Sequence, residues 1–84
     1  MGKNHIYIAQ CSDGTYYTGY AVDVDARIDV HNSGKGAKYT RARRPVTLKY
    51  TECFNTKSEA LKREYEIKQF TRVQKEALMS EVKR

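Results

Sequence analysis

Between Tyr16 and His31 the chain changes its period, and that change limits what it can fold into. Tyr16 to Ala21 is aromatic and β-prone and reads as a strand. Asp23 then offers a side-chain acceptor to a helix start. A helix is expected from Val24 to about Asn32 or Ser33, with Gly34 as its stop. Helical spacing from Val24 selects Val24, Arg27, Ile28 and His31. Two of these are apolar. An arginine and a histidine occupy the places where a core-facing helix carries Leu or Ala. An unpaired guanidinium is costly to bury. Three readings follow: the face meets a partly wet cleft, Arg27 has an acidic partner, or this is a surface helix with a short stripe.

The flanking segments supply the rest of the layers. Asn4 to Cys11 alternates around Ile6 and Ile8 and reads as strand one. Ser12-Asp13-Gly14 is the turn and Thr15 to Ala21 is strand two, which makes a β-hairpin. Ser33 to Ala37 is a glycine-rich basic loop. Lys38 to Arg44 is expected to form a helical turn that Pro45 ends. Val46 to Phe54 alternates Val46, Leu48 and Tyr50 against Thr47, Lys49 and Thr51, giving strand three. Thr56-Lys57-Ser58-Glu59 and Thr71-Arg72-Val73-Gln74 are capping boxes. They open helices expected to reach about Phe70 and Ser80, and the tail from Glu81 to Arg84 is expected to fray. The order ββαβαα predicts an α+β fold, a three-stranded antiparallel sheet flanked by helices. One domain is expected over residues 1–84, with its core at about 4–80.

Composition excludes several classes. A chain of 84 residues with 39% hydrophobic residues supports one modest core. Mean hydropathy is -0.81, and no apolar run approaches the ~18 residues of a membrane span. The N-terminus does not read as a signal peptide, and Ile6 stands where a myristoylation motif at Gly2 needs Ser or Thr. The expected compartment is the cytoplasm, with no membrane partner. Cys11 and Cys53 lack the spacing of a zinc site and read as small, half-buried structural thiols.

Charge is concentrated. The net charge is +6. From Val30 to Thr51 there is no Asp or Glu, while Lys35, Lys38, Arg41, Arg43, Arg44 and Lys49 all fall there. Elsewhere the signs balance. A one-sided basic patch is the footprint of a phosphate-backbone partner, although solvated basic loops are also common. Gly34-Lys35-Gly36 lacks the spacing of a phosphate-binding P-loop, so no nucleotide cofactor is expected. In the second helix, the core spacing Ala60, Leu61, Glu64, Ile67 and Lys68 puts a glutamate inside an apolar stripe. Such a carboxylate needs a cation, either Arg27 or a metal ion.

Taken together, His5-Ile6-Tyr7, Tyr17-Thr18-Gly19, Arg27, His31 and Glu64 resemble the GIY-YIG nuclease superfamily, in particular its small stand-alone bacterial members. The resemblance covers about Asn4 to Phe70. The first motif begins with His5 in place of Gly, and Thr18 occupies the middle of the second. The resemblance implies a three-stranded antiparallel sheet flanked by helices and metal-dependent hydrolysis of DNA phosphodiesters. It assigns Tyr7 and Tyr17 as active-site tyrosines and Gly19 as the motif glycine. Arg27 would contact the scissile phosphate, His31 would take a site position, and Glu64 would be the single metal-binding carboxylate. Many members carry an appended DNA-recognition domain. None is seen in this chain, so targeting would fall to a partner protein or to dimerisation.

Phosphodiester hydrolysis needs an activated water, charge neutralisation and help for the leaving oxygen. A lone Glu64 suits one Mg²⁺ (or Mn²⁺) ion, weakly bound without substrate. Arg27 can grip phosphate oxygens in bidentate fashion. Tyr17 is the favoured base or water-positioner with Tyr7 in support, and His31 is a relay or an alternative base. Lys35, Lys38, Arg41, Arg43 and Arg44 would bind the nucleic-acid backbone. The hairpin register tests the shared site. A two-residue Asp13-Gly14 turn would put Tyr7 and Tyr17 on opposite faces. A three-residue loop pairs Ala9 with Tyr17 and Tyr7 with Gly19, and this is the register expected. Two rivals remain at this level. One is a non-catalytic nucleic-acid-binding module that stacks bases on some of the seven tyrosines. The other is a purely structural role for the motif residues, with Arg27–Glu64 a buried salt bridge.

Overall fold

The computed structural model describes residues 3–81, with the backbone alone at Glu81. Gly2 and the remainder of the tail expected to fray, 82–84, lie outside the described residues. Seven elements follow in order: β1 (Asn4–Gln10), β2 (Tyr16–Ala21), α1 (Val24–Asn32), α2 (Lys38–Arg41), β3 (Thr47–Phe54), α3 (Lys57–Lys68) and α4 (Arg72–Glu81). The three strands form one antiparallel sheet in the order β2-β1-β3. No described helix is long and apolar enough to cross a membrane.

The hairpin takes the three-residue loop. The Cys11 amide donates to the Thr15 carbonyl at 2.8 Å, and Gly14 sits at φ +88°, a left-handed conformation that favours glycine. The Asp13 carboxylate ties the loop by accepting from the Thr15 amide and hydroxyl. Tyr7 is therefore opposite Gly19, and Ala9 opposite Tyr17.

The central strand β1 is covered on both sides, beyond what alternation around Ile6 and Ile8 predicted. Ile6 and Ile8 pack with Tyr50, Ala60 and Ile67 beneath α3 and α4. Tyr7 and Ala9 pack with Cys11, Ala21 and Val46 on the side of α1. Each fully buried Ile contributes about 1.5–3 kcal/mol of hydrophobic stabilisation. The face of Tyr7 spends its core positions on a phenol and an imidazole.

Four expectations need correction. Val46, Leu48 and Tyr50 do not share a face: Ile8 pairs with Tyr50 while the next residue, Ala9, pairs with Leu48. Lys49 is thus an extra, bulged residue that turns Tyr50 to the other side of the sheet. Leu61, counted in the α3 stripe, is 41% exposed, whereas Ala60 and Ile67 are fully buried. Cys11 is buried as a structural thiol should be, but Cys53 is exposed. The buried Arg27–Glu64 salt bridge is absent among the described residues. Arg27 is exposed, and Glu64 pairs with Lys68 one helical turn away at 3.3 Å.

The helix ends follow the caps. Asp23 accepts from the Ala26 amide, and Thr56 accepts from the Glu59 amide. In α4 the capping box closes both ways: Thr71 Oγ1 accepts from the Gln74 amide and Gln74 Oε1 from the Thr71 amide. An ion-pair network unmarked in the sequence pattern joins β3 to α3. Arg63 holds Glu52 at 2.9 Å and Glu66 at 2.7 Å, and Tyr50 hydrogen-bonds Glu52.

Candidate active site

β1 presents Tyr7 and β2 presents Tyr17 and Gly19 to the same face, which α1 covers with His31. The Tyr7 ring needs the bare glycine opposite it. A Cβ at Gly19 would stand 2.5 Å from the Tyr7 hydroxyl and 2.7 Å from Cζ, inside any real carbon contact. With that space open, Tyr7 is only 1% exposed and its hydroxyl reaches His31 Nε2 at 2.7 Å. Tyr17 closes the cluster. Its ring centroid lies 6.3 Å from that of Tyr7 and 5.2 Å from that of His31, the latter edge-on at 67°.

His31 is fully buried, and its other nitrogen is held as well. Nδ1 lies 2.8 Å from Thr40 Oγ1, and that hydroxyl donates to the Ala37 carbonyl at 2.9 Å. Thr40 is fully buried on α2. Its neighbour Tyr39 stacks on Tyr17 at 6.1 Å and 24°. Gly36 makes room on the same side: a Cβ there would strike His31 Nδ1 and lie 2.8 Å from the His31 Cα. Thr40, Tyr39 and Gly36 were not among the candidates from sequence. A four-residue helix has no periodicity to betray a buried face, and Gly36 reads as ordinary loop composition.

The electrostatics converge on the Tyr7 phenol. Its pKa is pushed up to about 12, chiefly by burial. Arg27 opposes this by hydrogen bonding and by charge, while Tyr17 and Glu64 push it further up. Tyr17 of β2, Arg27 of α1 and Glu64 of α3 thus act on one oxygen. Burial, with the Arg27 charge second, holds His31 below its ordinary value, so the ring is neutral at pH 7 and able to accept a proton. Arg27 projects from the first turns of α1 into the wall of a cleft with Tyr20, Ala21, Ala26 and Val30. Of the face Val24, Arg27, Ile28 and His31, only Arg27 reaches this cleft; Val24 and Ile28 pack on the core beside Tyr7, and His31 is fully buried. A roomier groove between Phe54, Arg63 and Phe70 contains none of these residues.

Glu64, paired with Lys68, would offer a metal a single carboxylate. Its side chain is 17% exposed, and among the described residues no three of His, Cys, Asp and Glu gather into a cluster. One hard oxygen ligand fits Mg²⁺, which keeps several waters and takes further contacts from phosphate. It does not fit the closed three- or four-ligand sites of zinc.

The five basic candidates differ in their surroundings. Lys35, Lys38 and Arg41 are exposed. Arg43 pairs with Asp13 at 3.0 Å, donates to the Tyr39 carbonyl and lies 4.0 Å over the Tyr39 ring. Arg44 donates to the Arg41 carbonyl at 2.9 Å and to the Asn32 carbonyl. Arg43 and Arg44 therefore brace α2 and its loop.

Comparison with known proteins places these residues in context. Residues 3–77 match a family described as the GIY-YIG catalytic domain. A UPF0213 protein of Halobacterium salinarum is 64% identical over 75 residues, covering 89% of this chain and 97% of its own. A UPF0213 protein of Staphylococcus saprophyticus is 63% identical over 81 residues, covering 96% and 99%. The solution NMR structure of a UPF0213 protein from Bacillus halodurans matches with a TM-score of 0.60 at 53% identity, over 92% of this chain and 82% of that one. A second solution structure, from E. faecalis, matches with a TM-score of 0.63 at 45% identity, over 95% and 88%.

Proposed function

This chain belongs to the GIY-YIG family, whose catalytic domain is nuclease-type, and from that premise we propose that it is a metal-dependent endonuclease hydrolysing DNA phosphodiester bonds. The observation that carries the reading is the buried Tyr7–His31 hydrogen bond, with Tyr17, Arg27 and Glu64 acting on the same phenol.

Each residue has a part that its surroundings allow. Arg27, exposed on the cleft wall, grips the non-bridging oxygens of the scissile phosphate. Tyr17, only partly buried, positions the attacking water at the mouth of the cluster. Tyr7 is a poor base alone, because a buried phenolate is disfavoured. It can take the water's proton if its own passes at the same moment to neutral His31 Nε2, 2.7 Å away. The oxygen of the water then bonds to phosphorus as the bond to the leaving oxygen breaks. Glu64 would hold a Mg²⁺ or Mn²⁺ ion, which when bound neutralises charge on the phosphate and the leaving oxygen. The basic segment supplies sequence-neutral attraction to the backbone.

The binding-module alternative needs tyrosines open for stacking. Tyr39 and Tyr65 are exposed, but Tyr7 and His31 are sealed in a hydrogen-bonded chain that binding alone does not require. The test is nicking of supercoiled plasmid and of labelled branched DNA with Mg²⁺, with Mn²⁺ and with EDTA. Wild type should cleave only with metal, and Glu64→Ala should lose that cleavage. Salt-sensitive DNA binding in both proteins without cleavage in either would favour the binding module.

A further inference from the structure

We infer that Thr40 is a positioning residue for this reaction: by holding His31 Nδ1 it fixes the ring's tautomer, and so the direction in which the Tyr7 proton moves. The inference takes its reaction from the proposed function and its content from hydrogen-bond geometry around a neutral ring.

Three contacts in series must share three protons. Thr40 Oγ1 lies 2.9 Å from the Ala37 carbonyl oxygen and 2.8 Å from His31 Nδ1, and His31 Nε2 lies 2.7 Å from the Tyr7 hydroxyl. A carbonyl has no proton to give, so the first contact uses the threonine's only one. The threonine oxygen then has lone pairs left and must accept, which puts the imidazole proton on Nδ1. A neutral imidazole has one N–H, so Nε2 is bare and the proton between it and Tyr7 belongs to the phenol. With the ring neutral, each contact is satisfied once, and no other assignment of a neutral ring satisfies all three. Burial makes the order matter: His31 and Thr40 are fully buried, so water cannot repair a misplaced proton between them. The other group near the phenol oxygen, the Arg27 guanidinium, can only donate, which leaves the Tyr7 proton for the histidine.

The function of this order is direction. With Nδ1 protonated against Thr40, Nε2 is an acceptor aimed at Tyr7, and the phenol can release its proton inward as it takes one from water. In the other tautomer Nε2–H would donate to Tyr7, and the inward path would close. The α2 turn serves this arrangement. Ala37 presents the carbonyl, Gly36 leaves space beside Nδ1, and Tyr39 braces Tyr17.

Long-range ¹H–¹⁵N correlation spectra of the full-length chain read the tautomer directly. There are two histidines, and His5→Gln assigns the signals. Wild type and Thr40→Ser should show His31 protonated on Nδ1. Thr40→Val, which keeps the shape but removes the acceptor, should move the ring toward the Nε2–H form. Metal-activated plasmid nicking should fall by roughly tenfold or more in Thr40→Val and recover to within about threefold of wild type in Thr40→Ser. A wild-type His31 protonated on Nε2, or a Thr40→Val protein with an unchanged His31 spectrum, would overturn the inference. If Thr40→Val fails to fold, the wild-type and Thr40→Ser spectra decide alone. If no protein nicks DNA, the nuclease reading falls, while the spectrum still supports or overturns the hold of Thr40 on His31.

Discussion

Two glycines bracket the Tyr7–His31 contact, one on each partner. Gly19 lies beneath the Tyr7 hydroxyl and Gly36 beside His31 Nδ1, and neither leaves room for a methyl group. The two differ in how the sequence marks them. Gly19 stands in a strand two residues after a tyrosine, where a glycine is otherwise costly, and its place opposite Tyr7 follows from the hairpin loop. Gly36 sits in a glycine-rich basic loop and carries no such mark. Gly19→Ala should displace the Tyr7 ring and destabilise the fold by roughly 1–3 kcal/mol, the usual cost of overpacking. Chemical denaturation measures that loss, and nicking should fall further than stability does. An alanine variant with wild-type stability and activity would mean that the Tyr7 ring does not occupy this place.

The hairpin, the caps of α1 and α3 and the capping box of α4 were legible because each rests on contacts within a few residues. Gly14 supplies a left-handed turn, and Asp23, Thr56 and Thr71 each accept from the amide three positions on. The features that escaped depend on a distant partner. Val46, Leu48 and Tyr50 alternate as an unbulged strand would, and only pairing with Ile8 and Ala9 reveals the extra Lys49. Arg63 and Glu52 are 11 positions apart and meet only because α3 crosses β3. Leu61 has the right spacing and the wrong azimuth. Helix α3 is pinned by Ile67, fully buried against Ile6, Ile8 and Tyr50. Ile67→Ala should therefore cost about 2–5 kcal/mol in urea unfolding, whereas Leu61→Ala, at a 41% exposed position, should stay within about 0.5 kcal/mol of wild type. Equal effects would show that the azimuth of α3 is misassigned.

Across the whole molecule, one sheet separates two kinds of packing. Below it, α3 and α4 bury aliphatic and aromatic side chains; above it, α1 and α2 bury the phenol, the imidazole and the threonine hydroxyl. The net charge of +6 arises from the basic segment that carries α2, beside the proposed site. Lys35, Lys38 and Arg41 are exposed there, while Arg43 is engaged with Asp13 and Tyr39. Neutralising Lys35, Lys38 or Arg41 should lower the salt slope of DNA binding by about 0.9 for each phosphate that the side chain had neutralised. Arg43→Ala should change the slope little and disturb Tyr17 through Tyr39, an order that fluorescence anisotropy titrations in increasing salt can check. The central claim is that the buried Tyr7 hydroxyl moves a proton to His31 during phosphodiester hydrolysis. The measurement that tests it most directly is the Mg²⁺-dependent plasmid nicking rate of Tyr7→Phe, which lacks one oxygen and keeps the ring over Gly19. A folded Tyr7→Phe protein slowed by about 10²-fold or more is the result expected when an acid–base group is removed. A folded variant that nicks at the wild-type rate would contradict it.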